Sequence, residues 1–310
     1  MHGGAPLQLR RHVLQHRERR RRRCQNKNDA ENPNRIPIRT SAAMPRPCQR
    51  KLGIEHLQYF FWIRIGHFEI IPLFSFRKTM SLFAASQKKA YIAPFAIFIL
   101  LLGLGDAVEF LCKGNAHFLL VNPKYWIFPL QTILCAALLV CFWRSYEFKP
   151  PSASGIAFSL LVAIVTLLVW IAPQEFFSAA PRLDGFNALV FRGNPAMHYT
   201  SLVFRFMRLV VVIPFIEEIF WRGFLLRYFI RDDFENIPVG SFSWLSFGVV
   251  TAGFCIEHQQ ADWPAALVAG ALFNLVAIRT RSLSACVLAH AATNLLLGIY
   301  IMRTGQWGFW

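Results

Sequence analysis

Two glutamates stand side by side in an apolar stretch, Phe215-Ile216-Glu217-Glu218-Ile219-Phe220-Trp221-Arg222. Carboxylates are costly to hold inside hydrocarbon and mark a functional site there by default. On a helix Glu218 and Arg222 are four apart, share a face and can pair. Glu217 points about 100° away from Glu218 and has no cation on its own helix. The pair therefore divides: Glu218 with Arg222 supports geometry, and Glu217 is left to take a proton. Pro214, one turn earlier, withholds the amide that would bond the Val210 carbonyl, which predicts a kink beside the acids.

Three further polar groups follow on later apolar runs. Phe254 and His258 are one helical turn apart, so the ring can orient the imidazole. His290 and Asn294 are also at i and i+4, and both can donate to a common oxygen. Asn274, four after Gly270, reads as glue between helices. Hydrolysis of an amide needs an activated water and donors for the developing oxyanion, and this set contains both. The plain alternative for the acids and Arg222 is an ion network that stabilises the bundle. A histidine taken alone is more often structural than catalytic.

The elements that must carry these residues are helices in a membrane. Of 310 residues 55% are hydrophobic and 16% are charged, against about 25% charged in an ordinary soluble domain. A soluble enzyme, a disordered chain and a disulfide scaffold are all disfavoured. Apolar runs at 91–111, 125–143, 155–172, 203–229, 242–257, 264–278 and 283–302 predict seven spans, with an eighth in 174–198. The fold class expected is all-α, a polytopic helix bundle with seven to eight transmembrane helices. Lys88, Lys89, Arg144, Lys149, Arg227, Arg231, Arg279 and Arg281 fall in alternate connections, which the positive-inside rule places on the cytoplasmic side. Lys113, Lys124, Arg182 and Arg192 sit on the other side. Measured along ideal helices, Glu217 and His290 lie at similar depth, about 15 and 10 Å from one face. His258, about 24 Å from Phe242, sits farther across, unless its helix starts late or the next loop dips into the bilayer. There is no internal repeat, which weighs against an inverted-repeat transporter.

The net charge of +16 belongs to a head. Residues 1–79 carry a net +12, including the run Arg19 to Arg23, and residues 80–310 carry +4. The head reads as a solvated disordered tail, with 57–76 as an interfacial helix or non-native translation, and it implies no nucleic-acid partner for the body. Met80 followed by Lys88 and Lys89 looks like the start of a bacterial membrane protein, so the division expected is a head, 1–79, and a membrane domain, 80–310. None of the seven cysteines forms C-x-x-C, and free thiols are expected.

Glu217-Glu218…Arg222, Phe254…His258 and His290…Asn294 together reproduce E-E-x-x-x-R, F-x-x-x-H and H-x-x-x-N on successive helices. The chain thereby resembles the CAAX prenyl endopeptidases and bacteriocin-processing enzymes, also called the Abi family. The stretch Trp221 to Arg227 and the tail Leu295 to Trp310 resemble the bacterial subgroup tied to exosortase sorting. The resemblance implies an intramembrane endopeptidase in which Glu217, assisted by His258, activates water. His290 and Asn294 would form the oxyanion site, with Glu218 and Arg222 in support. It implies a membrane-anchored protein or peptide as substrate, exosortase components as partners and the bacterial inner membrane as location. No cofactor is required by that mechanism. A zinc version would use Glu217, His258 and His290, although no H-E-x-x-H is present. Two other classes use the same residues: a proton or ion pathway, and a non-proteolytic scaffold or immunity-type partner.

Overall fold

A computed structural model describes residues 87–310. The expectations for the basic head, for 57–76 and for a start at Met80 lie outside the described residues. Among the described residues the chain is all-helical with no strand.

Helix α1 is Gln87–Leu111, α2 is Lys124–Cys141 and α3 is Ala153–Glu175. A continuous helix over 195–228 is α4. Helices α5, Trp244–Glu257, α6, Trp263–Thr280, and α7, Leu283–Thr304, complete the bundle. Local chemistry sets the ends. Ser152, Asn194, Ser243 and Ser282 each accept a backbone N–H in the first turn of the helix that follows, which satisfies an otherwise orphaned donor. Gly305, at φ +70°, closes α7 in the left-handed conformation.

The expected eighth helix does not form. Residues 176–194 carry Pro181, Gly185 and Gly193 and make only the short turn Ala188–Phe191. This loop docks across one end of the bundle. Lys124 Nζ donates to the Gly185 carbonyl at 3.1 Å, Gly308 N donates to the Arg182 carbonyl at 2.9 Å, and Arg182 pairs with Asp262. At the other end Glu147, Lys149, Pro238, Val239 and Arg281 line one cleft of about 240 Å³. The connections after α2, α4 and α6 therefore meet, as alternating antiparallel spans require.

Five helical stretches among the described residues are long and apolar enough to cross a membrane: 87–111, 124–141, 153–175, 260–280 and 283–304. The outward faces carry Leu100, Val140, Leu161, Val203 and Leu245, all exposed. The interior holds charged groups, including Glu217, Glu218, Arg222 and His290. That polarity suits a lipid surround and not water. Helix α5 has 14 residues, about 21 Å, short of the ~30 Å of hydrocarbon.

Helix α4 is where the backbone departs from regularity. Its α-helical pieces Pro195–Phe206, Ile213–Glu218 and Leu226–Tyr228 are separated by π-helical turns at Met207–Val212 and Ile219–Leu225. Such turns are rare and cluster at functional sites. The cysteines that fall among the described residues, Cys112, Cys135, Cys141, Cys255 and Cys286, are all free.

Candidate active site

Glu217 and Glu218 lie on the six-residue α-helical piece between the two π turns of α4. Both are buried, at 5% and 0% exposure. Glu218 Oε1 accepts from Arg222 Nη1 at 3.0 Å and from His290 Nδ1 at 2.9 Å. Each nitrogen of Arg222 is engaged: Nε donates to Asn274 Oδ1 at 3.0 Å and Nη2 to the Gly270 carbonyl at 3.1 Å. Its guanidinium also stacks 4.7 Å over the Phe254 ring. Asn274 passes the tie on, donating to Thr251 Oγ1 at 3.0 Å and to the Phe247 carbonyl at 3.3 Å. The helix-to-helix glue expected of Asn274 thus joins α4, α5 and α6.

Glu217 is placed differently. Its Oε2 has no hydrogen-bond partner among the described residues and faces His290 Nε2 at 4.0 Å. His290 therefore stands between the two acids, bonded to one and facing the other. The Phe273 ring stacks on its imidazole at 5.0 Å. Because Nδ1 is committed to an acceptor, a neutral His290 presents a bare Nε2 toward Glu217.

His258 caps α5, with Nδ1 donating to the Phe254 carbonyl at 2.8 Å. A carbonyl only accepts, so the ring hydrogen of a neutral His258 is on Nδ1. The Phe254 ring meets both imidazoles, His258 at 4.8 Å and His290 at 6.1 Å between centroids. The late start of α5 at Trp244, its short length and the helical turn Gln260–Asp262 bring His258 to this level.

Asn294 carries a task that spacing did not suggest. Its Nδ2 donates to the Leu209 carbonyl at 2.9 Å. The expectation was that Pro214 would orphan Val210, four residues back. In a π turn the bond runs five residues back, so the carbonyl that Pro214 leaves open is that of Leu209. Asn294 fills it and keeps its second amide hydrogen.

Further polar residues escaped the motif reading. Glu257 Oε2 accepts from Trp221 Nε1 at 2.8 Å, and its Oε1 is buried without a hydrogen-bond partner. Trp221 is pressed against Gly253, where a Cβ would come within 2.7 Å of the indole; the glycine is needed for that approach. Arg205 and Arg208 lie buried in α4. Their charges stand inside an apolar run, a signal of the same kind as the glutamates, but proximity to a helix start reads as a snorkelling cation.

Each histidine has Nδ1 committed to a protein acceptor, so only its Nε2 could reach a metal ion. Among the described residues no three His, Cys, Asp or Glu side chains are grouped to hold a metal ion.

Residues 199–296 match the family model for type II CAAX prenyl endopeptidase, Rce1-like. The match begins on α4, ends on α7 and encloses Glu217, Glu218, Arg222, His258, His290 and Asn294. It supports a membrane protease of the CAAX type, acting on membrane-associated substrates. No curated protein and no solved structure matches the chain.

Proposed function

We propose that this protein is an intramembrane endopeptidase that hydrolyses a peptide bond of a membrane-associated protein with water activated by Glu217. One observation carries the reading: Glu217 Oε2, buried and unbonded, faces the bare Nε2 of His290 at 4.0 Å. That gap exceeds a hydrogen bond, and because Oε2 is closed off in this state, a small outward movement of either side chain on substrate entry admits one water to both groups. Both are acceptors, so the water turns its hydrogens toward them and its lone pairs outward, ready to attack a carbonyl. Glu217 takes the proton and passes it to the leaving amine. Glu218, held by Arg222, keeps His290 in the tautomer that leaves Nε2 bare. Asn294 offers its second amide hydrogen to the oxyanion. On this geometry His290 partners the base, and His258 lies one aromatic ring away. The roles of the two imidazoles are thus exchanged relative to those the resemblance implies.

The narrower form of the reading, a processing step beside exosortase sorting in a bacterial inner membrane, is carried by the resemblance of Trp221 to Arg227 and Leu295 to Trp310.

The test is cleavage of a membrane-anchored peptide library in proteoliposomes. Glu217→Gln is expected to abolish cleavage while the thermal melt stays within a few degrees of the parent. A strong chelator should leave the parent's rate unchanged. Retained cleavage in Glu217→Gln would remove Glu217 as the base, and chelator-sensitive cleavage would favour the zinc version.

A further inference from the structure

Four arginines of α4 are buried: Arg205, Arg208, Arg222 and Arg227. Two of them have acid partners. Arg222 pairs with Glu218 at 3.0 Å and Arg227 with Glu147 at 3.1 Å, and each also donates to backbone carbonyls. Arg205 and Arg208, one turn apart, have no carboxylate partner among the described residues. Arg205 is 2% exposed, and its Nε and Nη1 are buried with no hydrogen-bond partner among the described residues. Arg208 donates to Gln131 Oε1, at 2.6 Å.

Aromatic faces enclose the two cations. The Arg205 guanidinium lies 4.9 Å from the Phe128 ring, 5.2 Å from Phe186 and 5.1 Å from Trp310. Arg208 lies 4.3 Å from Phe128 and 5.1 Å from Phe98. Stacking offsets part of the cost of burying a cation. It leaves the in-plane Nε and Nη1 donors of Arg205 unused among the described residues, and two like charges one turn apart repel. A planar fork of donors fits a carboxylate bidentately.

Arg205 is ten residues inside α4 from Pro195, about 15 Å along the axis, and its ring partners Phe186 and Trp310 belong to the loop and tail that close that end of the bundle. Distance to the acids decides who brings the carboxylate. Arg208 is nine residues before Glu217, about 14 Å, a span that roughly four extended residues cover.

We infer that Arg205 and Arg208 form a carboxylate-binding site for the peptide substrate, taking a free chain end or an acidic side chain a few residues from the bond that is cut. This rests on the reading of Glu217 as the base, and it makes the pair a specificity element of the same site.

The test measures binding apart from turnover. The full chain with Glu217→Gln, in phosphatidylcholine nanodiscs, is titrated with a short alanine–leucine peptide in three forms. One ends in a free carboxylate, one is amidated, and one is amidated with a terminal glutamate. The first or third is expected to bind about tenfold or more tighter than the second, as charge-assisted bonds to a buried fork allow; which of the two does so identifies the source of the carboxylate. Adding Arg205→Gln should erase the difference, and Arg205→Lys should restore part of it. Equal binding of all three peptides overturns the inference without need of a folded arginine variant. Loss of the difference when phosphatidylglycerol replaces half the lipid overturns it too, giving the site to a headgroup. Absence of Glu217-dependent cleavage by the parent would sink the protease reading separately, and the binding comparison would still decide the site.

Discussion

Asn294 shows how a single side chain can serve two ends. One amide hydrogen completes the backbone of α4 at Leu209, and the other is available to a reacting oxygen. Asn294→Ala should therefore fail in two measurable ways. An unpaired buried carbonyl costs about 1–3 kcal/mol, so the melting temperature falls. Loss of an oxyanion donor should lower the cleavage rate of the folded fraction about a hundredfold. A variant that melts early but cleaves normally per folded molecule would confine Asn294 to the backbone role. Glu218 and Arg222 are a different case. Both side chains are fully buried and paired, with Glu218 Oε2 left without a hydrogen-bond partner among the described residues, and breaking such a pair strands a charge at a cost of about 3–5 kcal/mol. Activity lost on changing either one says little about chemistry unless folding is measured beside it.

Helix α4 is the element that makes the site. The two π turns bracket Ile213–Glu218 and alter the phase between the arginine-bearing half and the glutamate-bearing half. Pro214 sustains the first of them, because no amide is present to close an ordinary α turn there. In Pro214→Ala the restored N–H can bond back into the helix and release Asn294. The melting temperature is expected to hold or rise, while cleavage drops about tenfold through a re-phasing of the acids against His290. Cleavage at the parent rate in a well-folded Pro214→Ala would show that the π turn does not position the acids. Helix α5 contributes by being short: it ends at Glu257, and His258 packs against the Phe254 and Trp170 rings.

On the scale of the whole molecule, the bundle has its greasy side out and its charges within. Its two ends are tied separately, one through Arg182 to Asp262 and Lys124 to Gly185, the other through Ser282 to the Lys149 carbonyl and Arg227 to Glu147. These ties place the connection at 229–243 and the loop at 176–194 at opposite ends. In a cysteine-free background, Asp232→Cys and Gly193→Cys should react with a membrane-impermeant thiol reagent from opposite faces of sealed vesicles. The positive-inside rule puts Asp232 on the cytoplasmic face. Labelling of both from one face would break the alternating topology.

Composition and run length were enough to establish an all-helical membrane bundle, because ~30 Å of hydrocarbon admits few other chains with this much apolar surface. The pairing of Glu218 with Arg222 was legible too, since i,i+4 spacing determines it within one helix. The 174–198 stretch was misjudged: its apolar content suggested a span, while its prolines and glycines stop a helix from propagating. What spacing along the chain does not contain is the register between helices. Only the packing of α7 against α4 set His290 between the two acids, and only the π turn moved the open carbonyl from Val210 to Leu209 and so enlisted Asn294. That Arg227 meets an acid while Arg205 and Arg208 meet none emerges only in three dimensions, because a partner 80 residues away, as Glu147 is to Arg227, leaves no periodic trace.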